Sequence, residues 1–202
     1  MNNSNQLTKI YYSASLITFL FLYIQTFALA DTCPKKYHLV SDFDHTIKLY
    51  HTDKTEIDLL DALLITEIYP GIDLLYQELL TYSSFQESQD CINNNFLSIV
   101  TASPKIFKKS ALKLLKENNF PKFKISFRNL FYSRFTHKIN TLTKIKEQSD
   151  TPLIIIGDDS GNDPEIFNRF SIDNPQTTIT TYIHSIKNRE LFDNQIGYYT
   201  IF

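Results

Sequence analysis

The chain has 202 residues and a formal charge of −2, and 43% of its residues are hydrophobic while 21% are charged. This balance is typical of globular proteins and excludes a largely disordered chain. Lysine and arginine total 20 against 22 acidic residues, so no overall basic excess favours nucleic-acid binding. The length fits one domain with a sizeable core, and we expect a monomer.

The first predicted element is an N-terminal targeting segment. Residues 10–30 carry no charge and follow Lys9, and Ala28-Leu29-Ala30 places small residues where a signal peptidase cleaves. Cleavage after Ala30 would release a domain of residues 31–202, exported to the periplasm or the medium. The alternative is a retained membrane anchor, since about 20 apolar residues can span a bilayer. Polar residues within the run weaken that alternative.

Strands and helices alternate through the rest of the chain. Apolar runs predict strands at Tyr37–Ser41, Asn95–Val100, Phe123–Phe127, Leu153–Ile156, Thr177–Ile183 and Tyr198–Phe202. Helical spacing of apolar residues predicts helices at Glu56–Ile68, Gly71–Leu80, Lys105–Asn118, His137–Gln148 and Asp163–Phe170. Pro104 is expected in the first turn of its helix. This alternation favours an α/β fold with a parallel sheet covered by helices on both faces.

The two cysteines, Cys33 and Cys91, would meet an oxidising compartment after export. One disulfide between them is one interpretation, and two free thiols are the other. Neither cysteine lies in a CxxC pair, so a zinc site or a thioredoxin-type redox site is not supported.

Polar side chains follow three of the predicted strands. They are Asp42 and Asp44 after the first strand, Thr101 and Ser103 after the second, and Asp158, Asp159 and Asp163 after Leu153–Ile156. In a parallel sheet, ligands bind outside the carboxyl ends of the strands. Carboxylates collected there repel one another unless a cation or a shared proton is present. Because all the donors are hard oxygens, the sequence predicts a Mg²⁺ site.

The order of these motifs resembles that of the haloacid dehalogenase superfamily, most of whose members are phosphatases. The matching residues are Asp42-Phe43-Asp44-His45-Thr46, then Thr101, then Lys138, then Gly157-Asp158 with Asp163. The resemblance implies a three-layer α/β/α, Rossmann-like fold with a central parallel sheet. Since Leu49–Ile68 leaves room only for a small flap, it also implies a minimal cap over an open crevice.

Longer matches resemble the phosphatidate phosphatase catalytic domain of the yeast actin-patch type and its bacterial relatives. They are Ser41–Lys48, Thr101–Pro104 and Gly157-Asp158 with Asp163–Phe167, and the resemblance covers about Tyr37–Ile186. Three features depart from that family's pattern. His45 stands where the family has Asp, Thr101 where it has Ser, and the order within Asp159-Ser160-Gly161 is altered. None of these departures removes a motif carboxylate.

The resemblance implies four catalytic residues. Asp42 would attack phosphorus and form an aspartyl-phosphate, which water later cleaves. Asp44 would be the general acid and then the general base, because Asp42 beside it raises one pKa of the pair. The Thr101 hydroxyl would hold a phosphoryl oxygen, and Lys138 would neutralise charge on the phosphate and the nucleophile.

The same resemblance implies the binding residues. Substrate would be held by Thr101, Ala102, Ser103 and Lys138, partly through backbone N–H groups. Mg²⁺ would be held by Asp42, the backbone carbonyl of Asp44, Asp158 and Asp163.

Several of these residues also have a simpler interpretation. Asp42 and Asp44 would form a turn at a strand end, and Thr101 would only end its strand. Lys138 would be a solvated lysine at a helix start, and Asp163 would cap the following helix.

Two surface features also have simpler interpretations. The aromatic group Phe127, Phe131, Tyr132 and Phe135 is expected in the core or at the lip of a pocket, rather than as a lipid site. The lysine-rich helix Lys105–Lys116 would lie near an anionic surface or would simply expose a solvated face.

The leading hypothesis is an exported Mg²⁺-dependent phosphatase acting on a phosphomonoester, with phosphatidate at a membrane surface as a candidate substrate. The alternative is a catalytically silent module that binds lipid or phosphate on the same fold. Retention of both Asp42 and Asp44 argues against that alternative, since binding alone does not need the acid. A third interpretation is a phosphotransferase that passes the phosphate to an acceptor other than water.

Overall fold

Six parallel strands form one sheet in the part of the chain that the computed structural model describes, residues 37–49, 67–81, 96–148 and 150–199. The strands are β1 (His38–Ser41), β2 (Phe96–Pro104), β3 (Phe123–Arg128), β4 (Leu153–Asp158), β5 (Ile179–His184) and β6 (Gln195–Tyr198). The helices of these ranges are α1 (Ile72–Thr81), α2 (Lys108–Glu117), α3 (Arg134–Glu147) and α4 (Asp163–Asp173). A short 3₁₀ helix, Lys105–Phe107, precedes α2.

The strand order across the sheet is β3-β2-β1-β4-β5-β6. From β1 the chain first adds β2 and β3 on one side, and then crosses to add β4, β5 and β6 on the other. At the end of β1, Ser41 lies beside Ile99 of β2 and Ile156 of β4. The direction of winding therefore reverses between β1 and β4, and a crevice is expected outside their carboxyl ends.

Two apolar cores cover the two faces of the sheet. Successive strand residues point to opposite faces, so Leu39 packs in one core and Val40 in the other. The Leu39 core includes buried residues of α1 and α2, and the Val40 core includes those of α3 and α4. The expected three-layer α/β/α arrangement is therefore confirmed.

The predicted strands and helices are confirmed where the structure describes them, except for the described end of the predicted helix Glu56–Ile68, and several of their ends differ. Strand β2 continues past Val100 to Pro104, because its backbone keeps pairing with β3 after the apolar side chains end. Pro104 therefore ends a strand and caps the 3₁₀ helix, and its predicted place in the first turn of a helix is wrong. Helix α3 begins at Arg134 and not at His137, since Ser133 caps it.

The two ends of the segment that follows the first motif, residues 47–49 and 67–69, pair with each other in antiparallel directions. The backbone N–H of Leu49 donates to the Glu67 carbonyl (3.0 Å), and that of Tyr69 donates to the Ile47 carbonyl (3.0 Å). Ile68, predicted as the end of a helix, instead forms a bridge with Lys48. Residues 50–66 lie outside the described residues, so the minimal cap stays a prediction.

Further expectations also fall outside the described residues. They concern the targeting segment, the pairing of Cys33 with Cys91, and residues 200–202 of the last predicted strand. That strand starts earlier than expected, at Gln195. Among the described residues, none of the helices has the length and apolar character needed to cross a membrane.

Candidate active site

The polar residues that end neighbouring strands surround one cavity of about 280 Å³. Seven of the predicted site residues line it. Two of them, Ala102 and Ser103, come from the end of β2, and the other five are Asp42, Asp44, Lys138, Asp158 and Asp163. Thr101 is fully buried beside them and contacts Asp44. The structure thus brings together all eight residues that the sequence singled out.

Asp42 lies at the buried base of this site, directly after β1. Its backbone N–H continues the sheet by donating to the Ile156 carbonyl (2.8 Å), which fixes where the side chain starts. Its carboxylate accepts a hydrogen bond from Lys138 Nζ at 2.7 Å. Burial raises the pKa of Asp42 well above its usual value, Lys138 opposes that rise, and the nearby Asp163 adds to it.

Lys138 is a buried lysine that joins two carboxylates. Besides Asp42, its Nζ contacts Asp163 Oδ1 at 2.5 Å. Burial alone would lower the pKa of Lys138, but Asp163 and Asp42 together raise it above its ordinary value. The ammonium is therefore charged at neutral pH, and the solvated-lysine interpretation is wrong.

Asp44 is held by the hydroxyl groups at the end of β2. Thr101 Oγ1 donates to Asp44 Oδ2 at 2.9 Å, and Ser103 Oγ donates to the same oxygen at 2.8 Å. The Ser103 backbone N–H in turn donates to Thr101 Oγ1 (2.9 Å). Thr101 and Ser103 therefore position Asp44. The sequence did not indicate these hydrogen bonds.

A tight turn carries Asp44 into the cavity. The backbone N–H groups of Ile47 and Lys48 both donate to the Phe43 carbonyl, at 3.0 and 2.8 Å. His45 takes the left-handed conformation with φ of 60°, which Asn, Asp and His adopt more readily than other residues with a side chain. From β5, His184 Nδ1 donates to the His45 carbonyl (3.0 Å) and supports the turn.

Three buried carboxylates form the candidate metal site. Asp42, Asp158 and Asp163 each offer one oxygen, and these oxygens lie within 4.8 Å of one another. Asp163 Oδ2 is buried and accepts no hydrogen bond from the described residues. Such an orphaned oxygen among carboxylates fits a hard divalent cation, which would supply the missing positive charge.

Asp158 is oriented by its neighbours. Its Oδ1 accepts hydrogen bonds from the Ser160 backbone N–H (2.7 Å) and the Ser160 hydroxyl, and Thr46 Oγ1 donates to its Oδ2 at 3.3 Å. Burial, together with the charge of Asp163, raises the pKa of Asp158 to about 6. A cation in contact with this carboxylate would oppose that rise.

Asp159, adjacent to Asp158, has a structural role. Its carboxylate accepts hydrogen bonds from the backbone N–H groups of Ile186 (2.6 Å), Lys187 (2.7 Å) and Arg189 (3.0 Å). Arg189 also donates to the Gly161 carbonyl (2.7 Å) and pairs with Glu165. These bonds tie the loop after β5 to the segment that follows Asp158 at the end of β4.

Two arginines in the cavity wall were missed by the sequence analysis. Arg128 ends β3, and its guanidinium donates to the carbonyls of Ala102 (2.7 Å) and Tyr132 (3.1 Å). Arg134 begins α3 and lines the same cavity. Arg128 directly follows the predicted strand Phe123–Phe127, a position that could have indicated it, whereas Arg134 lies beyond that strand end, where only the basic character of the region was a signal.

Comparison with known proteins agrees with this arrangement. Residues 37–185 match the sequence model of one family, described as phosphatidate phosphatase APP1, catalytic domain. The match covers most of the chain and includes every residue of the candidate site, which confirms the resemblance found in the motifs. No match was found among curated proteins or among solved structures.

Proposed function

Since the chain belongs to the family of the phosphatidate phosphatase APP1 catalytic domain, we propose that it is an exported, Mg²⁺-dependent phosphatase. It hydrolyses a phosphomonoester, phosphatidate, through an aspartyl-phosphate on Asp42. The observation that carries the proposal is the arrangement around Asp42. This buried carboxylate lies 2.7 Å from the Lys138 ammonium, and its oxygen lies within 4.8 Å of oxygens of Asp158 and Asp163.

The first half of the reaction is attack by Asp42 on phosphorus. Burial raises the pKa of Asp42, so the carboxylate needs nearby positive charge to be ionised. Lys138 supplies one such charge and stays in contact while the carboxylate becomes an acyl phosphate. The bond from phosphorus to the substrate alcohol oxygen breaks as the bond to Asp42 forms, and the alcohol leaves with a proton.

Asp44 is the residue placed to handle that proton. It lines the cavity two residues after the nucleophile, and Thr101 and Ser103 fix its Oδ2. Its carboxylic acid donates to the leaving alcohol, and its carboxylate then takes a proton from the water that cleaves the acyl phosphate. Both steps need a fixed position near Asp42, which the two hydroxyl groups provide.

Asp42, Asp158 and Asp163 are the residues that would hold Mg²⁺. When bound, the ion would neutralise the phosphate and the nucleophile, two anions that must approach each other. The carbonyl of Asp44, proposed as a further ligand, belongs to the turn that His45 and His184 support. Lys138 then balances the charge that remains on Asp163 and Asp42.

The test is Mg²⁺-dependent phosphate release from phosphatidate in mixed micelles, a panel of soluble phosphate esters and an aryl phosphate. Asp42→Asn should lower the rate by at least roughly a thousandfold, because the nucleophile is lost. Asp193→Asn, a change at an exposed carboxylate, is the matched control and should leave the rate unchanged. No release from any substrate, by a folded protein that binds Mg²⁺, would favour the binding-module alternative.

Export is proposed from the sequence of residues 10–30 alone. Signal-peptide cleavage would give a mature protein whose first residue is Asp31. N-terminal sequencing of the exported protein tests this, and a chain that keeps residues 1–30 would instead favour the membrane anchor.

A further inference from the structure

Large apolar side chains are exposed beside the cavity. We call Ile106, Leu130, Phe131, Tyr132 and Phe135 the apolar rim; their exposed fractions are 67%, 68%, 93%, 50% and 39%. Ile106 lies between two residues of the cavity wall, Pro104 and Phe107, and Leu130–Tyr132 lie between two others, Arg128 and Arg134. The apolar rim therefore borders the entrance to the candidate active site, whereas Phe127 of the same aromatic group is buried in the core.

The loop that carries Phe131 is held in place by hydrogen bonds. The Phe131 and Tyr132 backbone N–H groups donate to Asn129, at 3.3 and 3.0 Å. Arg128 donates to the Tyr132 carbonyl, and Ser133 accepts a hydrogen bond from the Thr136 backbone N–H (3.0 Å). The exposure of Phe131 is thus a feature of an ordered loop, and large exposed apolar side chains that border a pocket mark an interaction site.

Charge is distributed unevenly around this loop. Between Phe96 and Lys146 the chain has twelve lysines and arginines but one acidic residue, Glu117. This segment forms β2 and β3 at one edge of the sheet and the helices α2 and α3 that cover the two faces there, and we call this part of the molecule the basic half. Lys105, Lys108 and Lys109 are exposed next to Ile106. The near-neutral net charge of the whole chain hides this basic half.

We propose that the apolar rim inserts into an anionic lipid bilayer and places the cavity entrance at the headgroups. Aromatic and aliphatic side chains flanked by basic residues are the combination that inserts at such an interface. The choice of a bilayer rests on the proposed function, because the phosphate of phosphatidate lies at a membrane surface. A cavity that opens beside the inserted side chains reaches that phosphate while the acyl chains stay in the bilayer.

A local fluorescent reporter tests the insertion. The chain has no tryptophan, so Phe131→Trp in the mature protein that begins at Asp31, without the apolar residues 10–30, gives a single reporter in the apolar rim. Ile172→Trp is the matched control, because Ile172 is 62% exposed near the end of α4, on the far side from the α4 start at the cavity. With vesicles of phosphatidylcholine and phosphatidylglycerol, we expect a blue shift for Phe131→Trp and none for Ile172→Trp.

Charge reversal tests the basic half separately. Each basic residue near an anionic surface contributes roughly fivefold in affinity. The double variant Lys105→Glu with Lys109→Glu should therefore weaken vesicle binding by at least roughly twentyfold. Lys122→Glu, at the start of β3 and so at the opposite end of the strands from the cavity, is the matched control and should have a much smaller effect.

Three outcomes would overturn the proposal. They are no blue shift for Phe131→Trp on anionic vesicles, an equal shift for the control position, and tighter binding to single-stranded RNA than to vesicles. The last result would assign the basic half to nucleic acid. Since phosphatidylglycerol is not a phosphomonoester, the assay needs no turnover, and its result does not depend on whether the protein is a phosphatase.

Discussion

At the scale of single residues, Lys138 decides the electrostatics of the site. It is buried, and its ammonium contacts both Asp42 and Asp163. Two buried carboxylates without this partner would repel each other and lose their hydration at the same time. The lysine therefore makes the cluster tolerable in the folded protein before any metal binds.

Replacing Lys138 by methionine tests that role. We expect Lys138→Met to lower the free energy of unfolding, measured with urea in the presence of a chelator, by about 3 kcal/mol or more. Phosphate release should fall by roughly a hundredfold or more, since the phosphoryl group loses a fixed positive charge. Lys144→Met, at an exposed position of the same helix, should change neither quantity. Unchanged stability of Lys138→Met would contradict the account.

The acidic residues of the site could be predicted from the sequence because each follows an apolar run. Asp42, Asp44 and Asp158 lie at or just after strand ends, where the parallel topology brings them together. Arg128 follows the predicted strand Phe123–Phe127 and could have been inferred in the same way, whereas Arg134 could not, because its place in the cavity depends on the loop between β3 and α3. The hydrogen bonds of Thr101 and Ser103 to Asp44 likewise depend on side-chain geometry.

At the scale of elements, the site depends on how closely α4 approaches β4. A Cβ atom on Gly157 would lie 2.4 Å from Asp163 Oδ2 and 2.6 Å from Phe167 Cε2. Glycine is therefore required at the end of β4 for the helix that carries Asp163 to pack there. This contact links the position of Asp163, a carboxylate of the candidate metal site, to the packing of the core.

Gly157→Ala tests the link between packing and the site. The added methyl group must displace Asp163 and Phe167, so we expect a loss of about 1–3 kcal/mol in unfolding free energy. Mg²⁺ affinity, measured by calorimetry, should fall as Asp163 moves. Gly161→Ala is the control, because a Cβ there meets none of the described residues within 4 Å. Equal Mg²⁺ affinity in Gly157→Ala and the wild type would count against this packing argument.

The order of strands and helices could be predicted from the sequence, whereas several element ends could not. Strand β2 runs on through Thr101–Pro104 because its backbone still pairs with β3, which side-chain hydrophobicity does not reveal. The start of α3 was missed although Ser133 is a favourable N-cap residue. The first difference falls at the carboxyl end of a strand and the second at the start of the helix that follows β3, and both places contribute residues to the cavity wall.

At the scale of the whole molecule, the proposed metal site would couple Mg²⁺ binding to folding. The carboxylates of the cluster come from the ends of β1 and β4 and from the start of α4, so the site exists only when these elements are assembled. A ligand that binds only the folded state stabilises it. Mg²⁺ should therefore protect the entire domain against thermal unfolding.

We expect the Tm to rise by roughly 5–11 °C at a free Mg²⁺ concentration of about one hundred times its Kd, which corresponds to about 2.7 kcal/mol. Differential scanning calorimetry of the wild type and of Asp158→Asn checks this. The variant loses one carboxylate of the cluster and should show little or no rise. Identical Mg²⁺ responses of the two proteins would place the metal elsewhere.

The measurement that tests the central claim most directly is detection of the aspartyl-phosphate. The full-length protein would be mixed with phosphatidate carrying a radiolabelled phosphate, quenched in acid within a single turnover and digested. We predict label on the peptide that contains Asp42, released by hydroxylamine, and no label in Asp42→Asn. Phosphate release without any labelled protein, or label on another residue, would contradict the account.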